Sequence, residues 1–345
     1  MSTIPVRILI ASPARGRVEL HRKEIAAAST LGPVDAEYHY DLADSPDRFS
    51  DSLDSTQVVI LNSRGISAEA IARAPKLRFV QKLGVDVSHL AVEAFRDRGI
   101  AVSVLPDMGH VAVAEHTLAM AFAGTRNLVA SHIRILRREN PKNLEVVQTT
   151  QDVRQVNWLD LDSHRFPLVR DLTLGLVGFG EIAREVARLA RPLFRSVIYT
   201  KRRRLSEADE QQYGVSFRAA DHFYQEADVI SLHATLKDGE PPIVDADAIA
   251  RFKSNAFFIN TSRGNQVDQR ALVQALKSNR IRGAALDVFA HEPVFDEELL
   301  SCPNVALTPH TAIMLPLGRR FSDALANTRT FLEGGTPQGL IPAGN

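Results

Sequence analysis

The stretch LTLGLVGFGEIAREVARLA, residues 172–190, decides the fold of the second half of the chain. It joins a short apolar run to an amphipathic segment through Gly178, Gly180 and Ala183, with the spacing G-x-G-x-x-A. In a strand-to-helix turn, the first glycine permits the tight turn and the second lets a pyrophosphate approach the backbone, while the small third residue lets the helix pack close to the strand. Such glycines also occur in simple turns, but the apolar run before them and the amphipathic segment after them favour a dinucleotide-binding unit.

The rest of the chain alternates in the same way between short apolar runs and amphipathic stretches, which is typical of parallel sheets covered by helices. In the first hundred residues, the apolar runs predict strands over residues 6–11, 57–62, 77–83 and 99–105. After the glycine turn, the predicted strands cover residues 196–200, 228–234, 256–261, 284–289 and 304–309. The predicted fold class is therefore α/β, with two doubly wound parallel-sheet domains.

The order of these elements predicts that one domain is inserted into the other. We expect residues 1–106 to form the first part of one domain, and residues 107–315 to form the dinucleotide-binding domain. Residues 316–345 would then return to the first domain as a C-terminal helix and tail. One long helix is predicted over residues 111–138, and its apolar content exceeds what a single buried face needs. The polar residues 139–170 are predicted to be a long connecting segment.

Composition narrows the class of protein. The 345 residues are too many for one ordinary core, and 41 basic residues balance 41 acidic ones. A balanced chain has no overall field to hold nucleic acid or a membrane surface, and no stretch approaches the roughly 20 apolar residues of a membrane span. Cys302 is the only cysteine, which excludes an intramolecular disulfide and a thiolate metal cluster. We therefore expect a cytoplasmic protein in a reducing compartment, with no nucleic acid, membrane or metal partner.

The stretch VIYTKRRR, which ends at Arg204, concentrates cations just after a predicted strand. In a dinucleotide-binding unit, an acid about 20 residues beyond the glycines binds the ribose hydroxyls, but Thr200 stands at that place. A 2′-phosphate would be attracted by the cations that follow, Lys201, Arg202 and Arg203. The stretch thus predicts NADP(H) as the preferred cofactor, with NAD(H) possible, whereas Arg204 is expected only to face water. A solvated loop is the alternative, and the lack of a wider basic face disfavours nucleic acid.

Nearly the whole chain resembles the D-isomer-specific 2-hydroxyacid dehydrogenase family, which includes glyoxylate/hydroxypyruvate reductases and D-lactate and phosphoglycerate dehydrogenases. Five motifs in the family's order carry the resemblance: VAVAEHTLAMAF, LGLVGFGEIA, FFINTSRGNQVDQRALVQAL, GAALDVFAHEP and NVALTPHTA. The resemblance implies a Rossmann nucleotide-binding domain inserted into a flavodoxin-like substrate domain. It also implies a homodimer through the predicted helix at residues 111–138.

The same resemblance implies a catalytic group of three residues. Arg263 resembles the arginine that binds the substrate carboxylate and polarises its carbonyl, and a planar guanidinium suits that task because it cannot lose its charge. His310 resembles the general acid/base, and Glu292 resembles the acid that hydrogen-bonds this histidine and favours its charged form. Each of them alone is compatible with a structural role. Together they imply hydride transfer between a nicotinamide cofactor and a small 2-oxo acid or D-2-hydroxy acid.

Further positions are implied for binding. The cofactor contacts would include, beyond the glycines and the basic stretch, Glu181, Ile182, His233, Thr261 and Asp287, with the last two at the nicotinamide amide. In the substrate domain, the candidates are Arg64, Val85 and Asp86. Asp86 departs from the family, where a glycine is usual. Its carboxylate would repel that of a substrate unless Asp86 points away or pairs with Arg64 or Lys82.

Two other functions remain compatible with these motifs. One is a dinucleotide-sensing binding protein with little catalysis, and the other is a phosphoglycerate dehydrogenase-like enzyme that uses NAD. A sensor does not need a proton donor, so Arg263, Glu292 and His310 together argue against it. The sequence does not select one 2-oxo acid or one direction of reaction.

Overall fold

The protein is described from a computed structural model, which divides the chain into two compact units. The first comprises Met1–Gly109 and Leu315–Asn345, and the second His110–Met314. The described residues are 6–12, 15–31, 36–42, 52–61, 66–84, 87, 90–106, 108–139, 141, 159, 167–236, 239–294, 296–316 and 318–342. Most of the predicted connecting segment 139–170 therefore lies outside them. None of the helices in these ranges is both long and apolar enough to cross a membrane.

Strands and helices alternate along most of the chain. The strands are β1 Val6–Ser12, β2 Ala36–Leu42, β3 Val58–Leu61, β4 Phe79–Leu83, β5 Ala101–Leu105, β6 Thr173–Val177, β7 Ser196–Thr200, β8 Val215–Phe217, β9 Val229–Leu232, β10 Phe257–Asn260, β11 Gly283–Leu286 and β12 Val305–Leu307. The helices are α1 Arg15–Leu31, α2 Ala68–Ala72, α3 Val92–Asp97, α4 Met108–Thr125, α5 Leu128–Leu136, α6 Glu181–Ala190, α7 Glu207–Tyr213, α8 Ala220–Glu226, α9 Ala246–Ala250, α10 Gln269–Lys277, α11 Glu297–Leu300 and α12 Arg319–Leu332.

The first unit is built on a five-stranded parallel sheet with the order β2-β1-β3-β4-β5. This is the flavodoxin-like doubly wound order. Every residue of β3 and β4 is buried, because helices cover both faces of a parallel sheet. Two apolar clusters result, one on each side, and the C-terminal helix α12 contributes Phe321, Ala324 and Leu325 to one of them.

A buried polar network joins α12 to this sheet. The Asn327 side-chain nitrogen lies within hydrogen-bond distance of Gln81 Oε1 at 2.9 Å, Ser103 Oγ at 3.1 Å and the Gln338 carbonyl at 2.8 Å, and its two N–H groups are shared among them. The Asn327 side-chain oxygen accepts from the Gln338 N–H at 2.9 Å. Because buried polar groups are costly when unpaired, this network specifies how the last segment of the chain returns to the first unit.

The second unit contains a seven-stranded parallel sheet with the order β12-β11-β10-β9-β6-β7-β8. Counted from β6, this is the Rossmann order extended by one strand, and the order reverses between β6 and β9. In such sheets, ligands bind beyond the carboxyl ends of the strands next to the reversal. The predicted fold class, a Rossmann domain inserted into a flavodoxin-like domain, is confirmed.

Two edge strands are missing from the sequence-based prediction. Strand β2 carries Glu37, His39 and Asp41, and strand β8 has only three residues. Among the described residues, β2 pairs with β1 and β8 with β7, so each borders its sheet on one side only. An edge strand needs no continuous apolar run, and for that reason a search for such runs passes over it.

The single helix predicted over residues 111–138 is wrong, because two helices occupy this region. Helix α4 ends at Thr125, and Asn127 then adopts a left-handed backbone conformation with φ 49° before α5 begins. Asparagine tolerates this conformation better than most residues do. Helix α4 packs into the core of the second unit, whereas none of the residues of α5 is buried.

Candidate active site

Three adjacent strands of the second unit bring the predicted catalytic residues to one edge of the sheet. Asn260 of β10 pairs with Leu286 of β11, which pairs in turn with Leu307 of β12, so the three strands end in register. Arg263, Glu292 and His310 follow the carboxyl ends of these strands in that order. This edge is where doubly wound folds bind their ligands, and the residues are therefore placed for chemistry.

His310 and Glu292 form the most direct contact of the site. The distance between His310 Nδ1 and Glu292 Oε2 is 2.6 Å, and Glu292 Oε1 accepts the Phe289 N–H at 2.9 Å. Partial burial alone would raise the pKa of Glu292, but the hydrogen bonds from His310 and Phe289 outweigh it and hold that pKa below its usual value. An ionised carboxylate only accepts, so Nδ1 donates and Nε2 is the nitrogen left to exchange a proton with a ligand. The imidazole is 43% exposed, which gives a ligand access.

The backbone of His310 is held in an uncommon conformation by Asp287. His310 has φ 55°, and its N–H donates to the Asp287 carbonyl at 2.8 Å. The Asp287 carboxylate is fully buried and accepts from the Thr308 hydroxyl at 2.6 Å, from Thr311 N–H at 2.8 Å and from Ala312 N–H at 2.9 Å. Asp287 was predicted to hold the nicotinamide amide. Here its carboxylate is directed at the segment that carries His310 and stabilises the position of that histidine.

Helix α4 supports two of these segments through residues to which the motifs assigned no role. His116 Nε2 lies 3.0 Å from Thr308 Oγ1, and Thr117 Oγ1 lies 3.0 Å from Thr261 Oγ1. Thr117 and Thr261 are both buried. His116 and Thr117 of the first motif therefore hold the loops after β12 and β10, and only their place in the family motif could have indicated this.

Arg263 is exposed at the end of β10, with its backbone fixed by Asn260. The Asn260 side chain donates to the Arg263 carbonyl at 3.0 Å and accepts the Ser262 N–H at 2.9 Å. The guanidinium donates to the Ser262 carbonyl at 2.7 Å and pairs with no carboxylate among the described residues. A guanidinium on a fixed backbone with no acidic partner among the described residues can donate hydrogen bonds to the carboxylate of a ligand.

Gly264 lets the loops after β10 and β11 touch. A Cβ at this position would lie 1.9 Å from the Phe289 carbonyl carbon, which no side chain can accommodate. The loop carrying Arg263 therefore approaches the loop carrying Glu292 only because residue 264 is glycine. The sequence shows the dipeptide Arg263-Gly264, but it does not show that Gly264 packs against the backbone of Phe289.

The glycine turn has the predicted geometry. Gly178 has φ 89°, and a Cβ there would lie 2.7 Å from the backbone of Ala234. A Cβ on Gly180, by contrast, would enter open space at the start of α6, where amide donors face outward. Ala183 is fully buried against β6 and its neighbours, as close helix packing requires.

The predicted cofactor residues near this turn differ in their surroundings. Glu181 Oε2 lies 2.6 Å from His110 Nδ1, and Ile182 packs partly against the apolar core. His233 Nε2 lies 2.8 Å from the buried Ser231 hydroxyl. Burial lowers the pKa of His233 to about 4, so this ring is neutral at physiological pH and contributes no charge to a bound phosphate.

The basic stretch follows β7 as predicted, but its four cations are not equivalent. Lys201 is half-buried, whereas Arg202 and Arg203 are exposed beyond Thr200. Arg202 Nη2 lies 3.1 Å from Glu240 Oε2 with 79% of its side chain exposed. The expectation that Arg204 only faces water is wrong, because its guanidinium forms a bidentate pair with Glu210.

The predicted substrate-binding residues Arg64, Val85 and Asp86 lie outside the described residues. Gly84, the residue directly before Val85, has φ 95°. Within the described part of the chain, no group of three His, Cys, Asp or Glu side chains could hold a metal ion.

Comparison with known proteins places this geometry in a family. Residues 143–312 match the family model described as "D-isomer specific 2-hydroxyacid dehydrogenase, NAD binding domain". The chain is 32% identical over 286 residues to the glyoxylate reductase of Thermococcus litoralis, which covers 82% of each chain. It is 34% identical over 258 residues to an (S)-sulfolactate dehydrogenase of Chromohalobacter salexigens, covering 74% of this chain and 77% of the relative.

Solved structures agree with the sequence comparison. An acyclic imino acid reductase, determined in complex with NADPH and D-Arg, matches with a TM-score of 0.58 and 26% identity. The match covers 98% of this chain and 100% of that one. Sequence motifs, strand order and relatives thus agree, and the chain belongs to the D-isomer-specific 2-hydroxyacid dehydrogenase family as an NAD(P)-dependent oxidoreductase.

Proposed function

We propose that this enzyme reduces a small 2-oxo acid to the D-2-hydroxy acid with NADPH as its preferred cofactor, or catalyses the reverse oxidation. The observation that carries the proposal is the 2.6 Å contact between His310 and Glu292. These residues follow β12 and β11, and Arg263 follows the neighbouring strand β10. Reduction of a 2-oxo acid requires a proton donor, a group that keeps this donor charged and a cation that binds the substrate carboxylate.

The residues of the second unit fit a nicotinamide dinucleotide. The open space at Gly180 and the first amides of α6 would receive the pyrophosphate, with Glu181 and Ile182 at the start of that helix. Thr200 offers a hydroxyl where an acid would repel a 2′-phosphate, and the cations Lys201, Arg202 and Arg203 follow it. His233, Thr261 and Asp287 lie at or after the ends of β9, β10 and β11, and we propose that they surround the nicotinamide half. The buried Asp287 would act there through the loop that carries His310.

The chain's own residues carry out the remaining chemistry. Arg263 would bind the substrate carboxylate through its guanidinium fork and draw electron density from the adjacent carbonyl. His310 would donate the Nε2 proton to the carbonyl oxygen, and the ionised Glu292 stabilises the charged imidazole before that transfer. The reduced nicotinamide, when bound, supplies the hydride that the carbonyl carbon accepts.

Steady-state kinetics on a panel of 2-oxo acids tests the proposal. Glyoxylate, hydroxypyruvate, pyruvate and bulkier 2-oxo acids are each assayed with NADPH and with NADH at equal concentration. We expect turnover of a small 2-oxo acid with a higher kcat/KM for NADPH. Cofactor binding without turnover of any of them would favour the alternative of a dinucleotide sensor.

Removing two arginines tests the cofactor preference. In Arg202→Ala plus Arg203→Ala, we expect the KM for NADPH to rise about 10- to 100-fold, because charge-assisted hydrogen bonds to a phosphate are lost. The KM for NADH should change by less than about twofold, since NADH has no 2′-phosphate. Arg270→Ala removes an exposed arginine of α10 and serves as the control. Equal effects on both cofactors would contradict the assignment.

The role of Glu292 predicts a change in pH dependence. The low pKa of Glu292 keeps its carboxylate charged through neutral and mildly acidic pH. Glu292→Gln removes that charge, so the protonated imidazole of His310 is no longer stabilised by a neighbouring carboxylate. We expect the alkaline limb of the reductive kcat/KM profile to move to lower pH. A profile with an unchanged alkaline limb would show that Glu292 does not favour the charged histidine.

The remaining assignments are also proposals. We assign the substrate-binding role to the first unit, with Arg64, Val85 and Asp86. We propose a cytoplasmic homodimer, because the chain has a single cysteine and α5 exposes four large apolar side chains, at 56%, 40%, 50% and 69% exposure: Leu128, Ile133, Ile135 and Leu136.

A further inference from the structure

The basic segment, residues 201–204, is anchored to the second unit at its carboxyl end by three side chains. The Tyr199 hydroxyl donates to Glu210 Oε1 at 2.8 Å and accepts the Leu205 N–H at 2.9 Å. Arg204 donates through Nε and Nη2 to the two oxygens of Glu210, each at 2.9 Å. Both the last residue of the segment and the backbone after it are therefore fixed.

The anchor stands on the core of the sheet beside the glycine turn. Tyr199 is fully buried, and its ring centroid lies 4.9 Å from that of Phe179 and 5.6 Å from that of Phe217. Phe179 is the residue between the two glycines of the turn. At the other end of the segment, the Thr200 carbonyl accepts the Gly178 N–H at 2.8 Å. The basic segment is thus a short loop with both ends held at the dinucleotide-binding turn.

The anchor keeps its hydrogen bonds over the whole working pH range. The pair with Arg204 lowers the pKa of Glu210 to about 2, so the carboxylate stays ionised. Burial raises the pKa of Tyr199 to about 12, so its hydroxyl stays a donor. A buried phenol and a bidentate pair also restrict rotamers more than an isolated surface pair does.

The two cations before Arg204 have no comparable partner. Arg202 makes one contact with Glu240 across an exposed surface, and Arg203 is exposed with no hydrogen bond or ion pair among the described residues. Glu210 neutralises Arg204, so the exposed guanidinium groups of the segment that Glu210 does not neutralise are those of Arg202 and Arg203. The segment combines a fixed backbone with two exposed guanidinium groups, of which only that of Arg202 has a contact among the described residues, with Glu240.

We propose that Tyr199, Glu210 and Arg204 are positioning residues for cofactor specificity, which hold Arg202 and Arg203 where the 2′-phosphate of NADPH binds. The inference rests on the proposed NADPH preference and names the residues that prepare the site for it. A loop ordered before binding does not lose conformational entropy when the phosphate arrives. Without the anchor, the same cations would bind the phosphate only after being ordered.

Binding measurements on Glu210→Gln in the full chain test this inference. We expect the Kd for NADPH, from titration of dihydronicotinamide fluorescence, to rise about tenfold, the order expected when long side chains must be ordered on binding. The Kd for adenosine 2′,5′-bisphosphate, from isothermal calorimetry, should rise in parallel. The Kd values for NADH and 5′-AMP should stay within about twofold, since neither carries the 2′-phosphate.

Two further variants make the result decisive. Glu185→Gln breaks a bidentate pair with Arg188 on α6 and should change none of these affinities. Arg204→Lys keeps the charge but not the fork, and it replaces Glu210→Gln if thermal melting shows that variant to be unfolded. Weakening of NADPH and NADH to the same extent, or of neither, would overturn the inference.

The failure of the inference can be told apart from failure of the proposed preference. If the unmodified enzyme binds NADH as tightly as NADPH, and Arg202→Ala plus Arg203→Ala changes neither, the preference itself is wrong. Suppose instead that the enzyme prefers NADPH and that Arg202→Ala plus Arg203→Ala removes this preference. If Glu210→Gln and Arg204→Lys then retain the preference, only the positioning role of Tyr199, Glu210 and Arg204 is wrong.

Discussion

Replacing His310 with asparagine should lower kcat/KM for 2-oxo acid reduction by about 10²- to 10⁴-fold, the contribution of a positioned general acid. Asparagine suits the left-handed backbone at φ 55° and leaves the hydrogen bond from residue 310 N–H to the Asp287 carbonyl in place. The variant therefore removes the proton donor while retaining the loop. Steady-state assays with the best substrate of the panel measure the effect.

The control for this variant is His222→Asn, at an exposed histidine of α8. It should leave kcat/KM within about twofold, since surface substitutions away from special features have small effects. The Kd for NADPH should be unchanged in both variants, because His310 is assigned to the substrate. Turnover by His310→Asn close to that of the unmodified enzyme would rule out the assigned proton donor.

Replacing Arg263 with lysine should lower kcat/KM by about 10²-fold, and replacing it with alanine by about 10³-fold, as for the loss of an electrostatic group at the reacting carbonyl. Lysine keeps the charge but cannot match a carboxylate with two parallel hydrogen bonds. Because Arg263 is assigned both to binding and to polarisation, KM should rise and kcat should fall in the alanine variant.

Arg270→Lys is the matched control, since Arg270 is an exposed arginine on α10, seven positions after Arg263. It should leave both kinetic constants within about twofold. A rise in KM with unchanged kcat for Arg263→Ala would reduce Arg263 to a binding residue. No change in either constant would remove it from the site.

Much of the fold could be predicted from the sequence because buried parallel strands read as continuous apolar runs. The runs that became β3, β6, β9, β10 and β11 are of this kind, since every residue of these strands is buried. Strand β2 could not be found this way, because Glu37 and His39 interrupt its apolar pattern at an edge. The break at Asn127 was hidden too, since a single left-handed residue leaves no trace in an otherwise apolar stretch.

The site was predictable to the extent that its residues follow strands directly. Arg263 and His310 come three residues after β10 and β12, so sheet topology alone brings them to one edge. The contacts that hold them depend on loops meeting in space. The carboxylate of Asp287 reaching Thr311, and Gly264 touching Phe289, follow from three-dimensional packing that spacing does not encode.

Transfer of deuterium from labelled NADPH tests the central claim most directly. The enzyme is given NADPH deuterated at C4, as each of the two epimers in turn, with the best 2-oxo acid of the panel that yields a chiral product. Mass spectrometry and chiral chromatography then identify the product. The account predicts the D-2-hydroxy acid, with deuterium on C2 from one epimer only. An L-hydroxy acid, a product without deuterium from either epimer, or no reduction at all would contradict it.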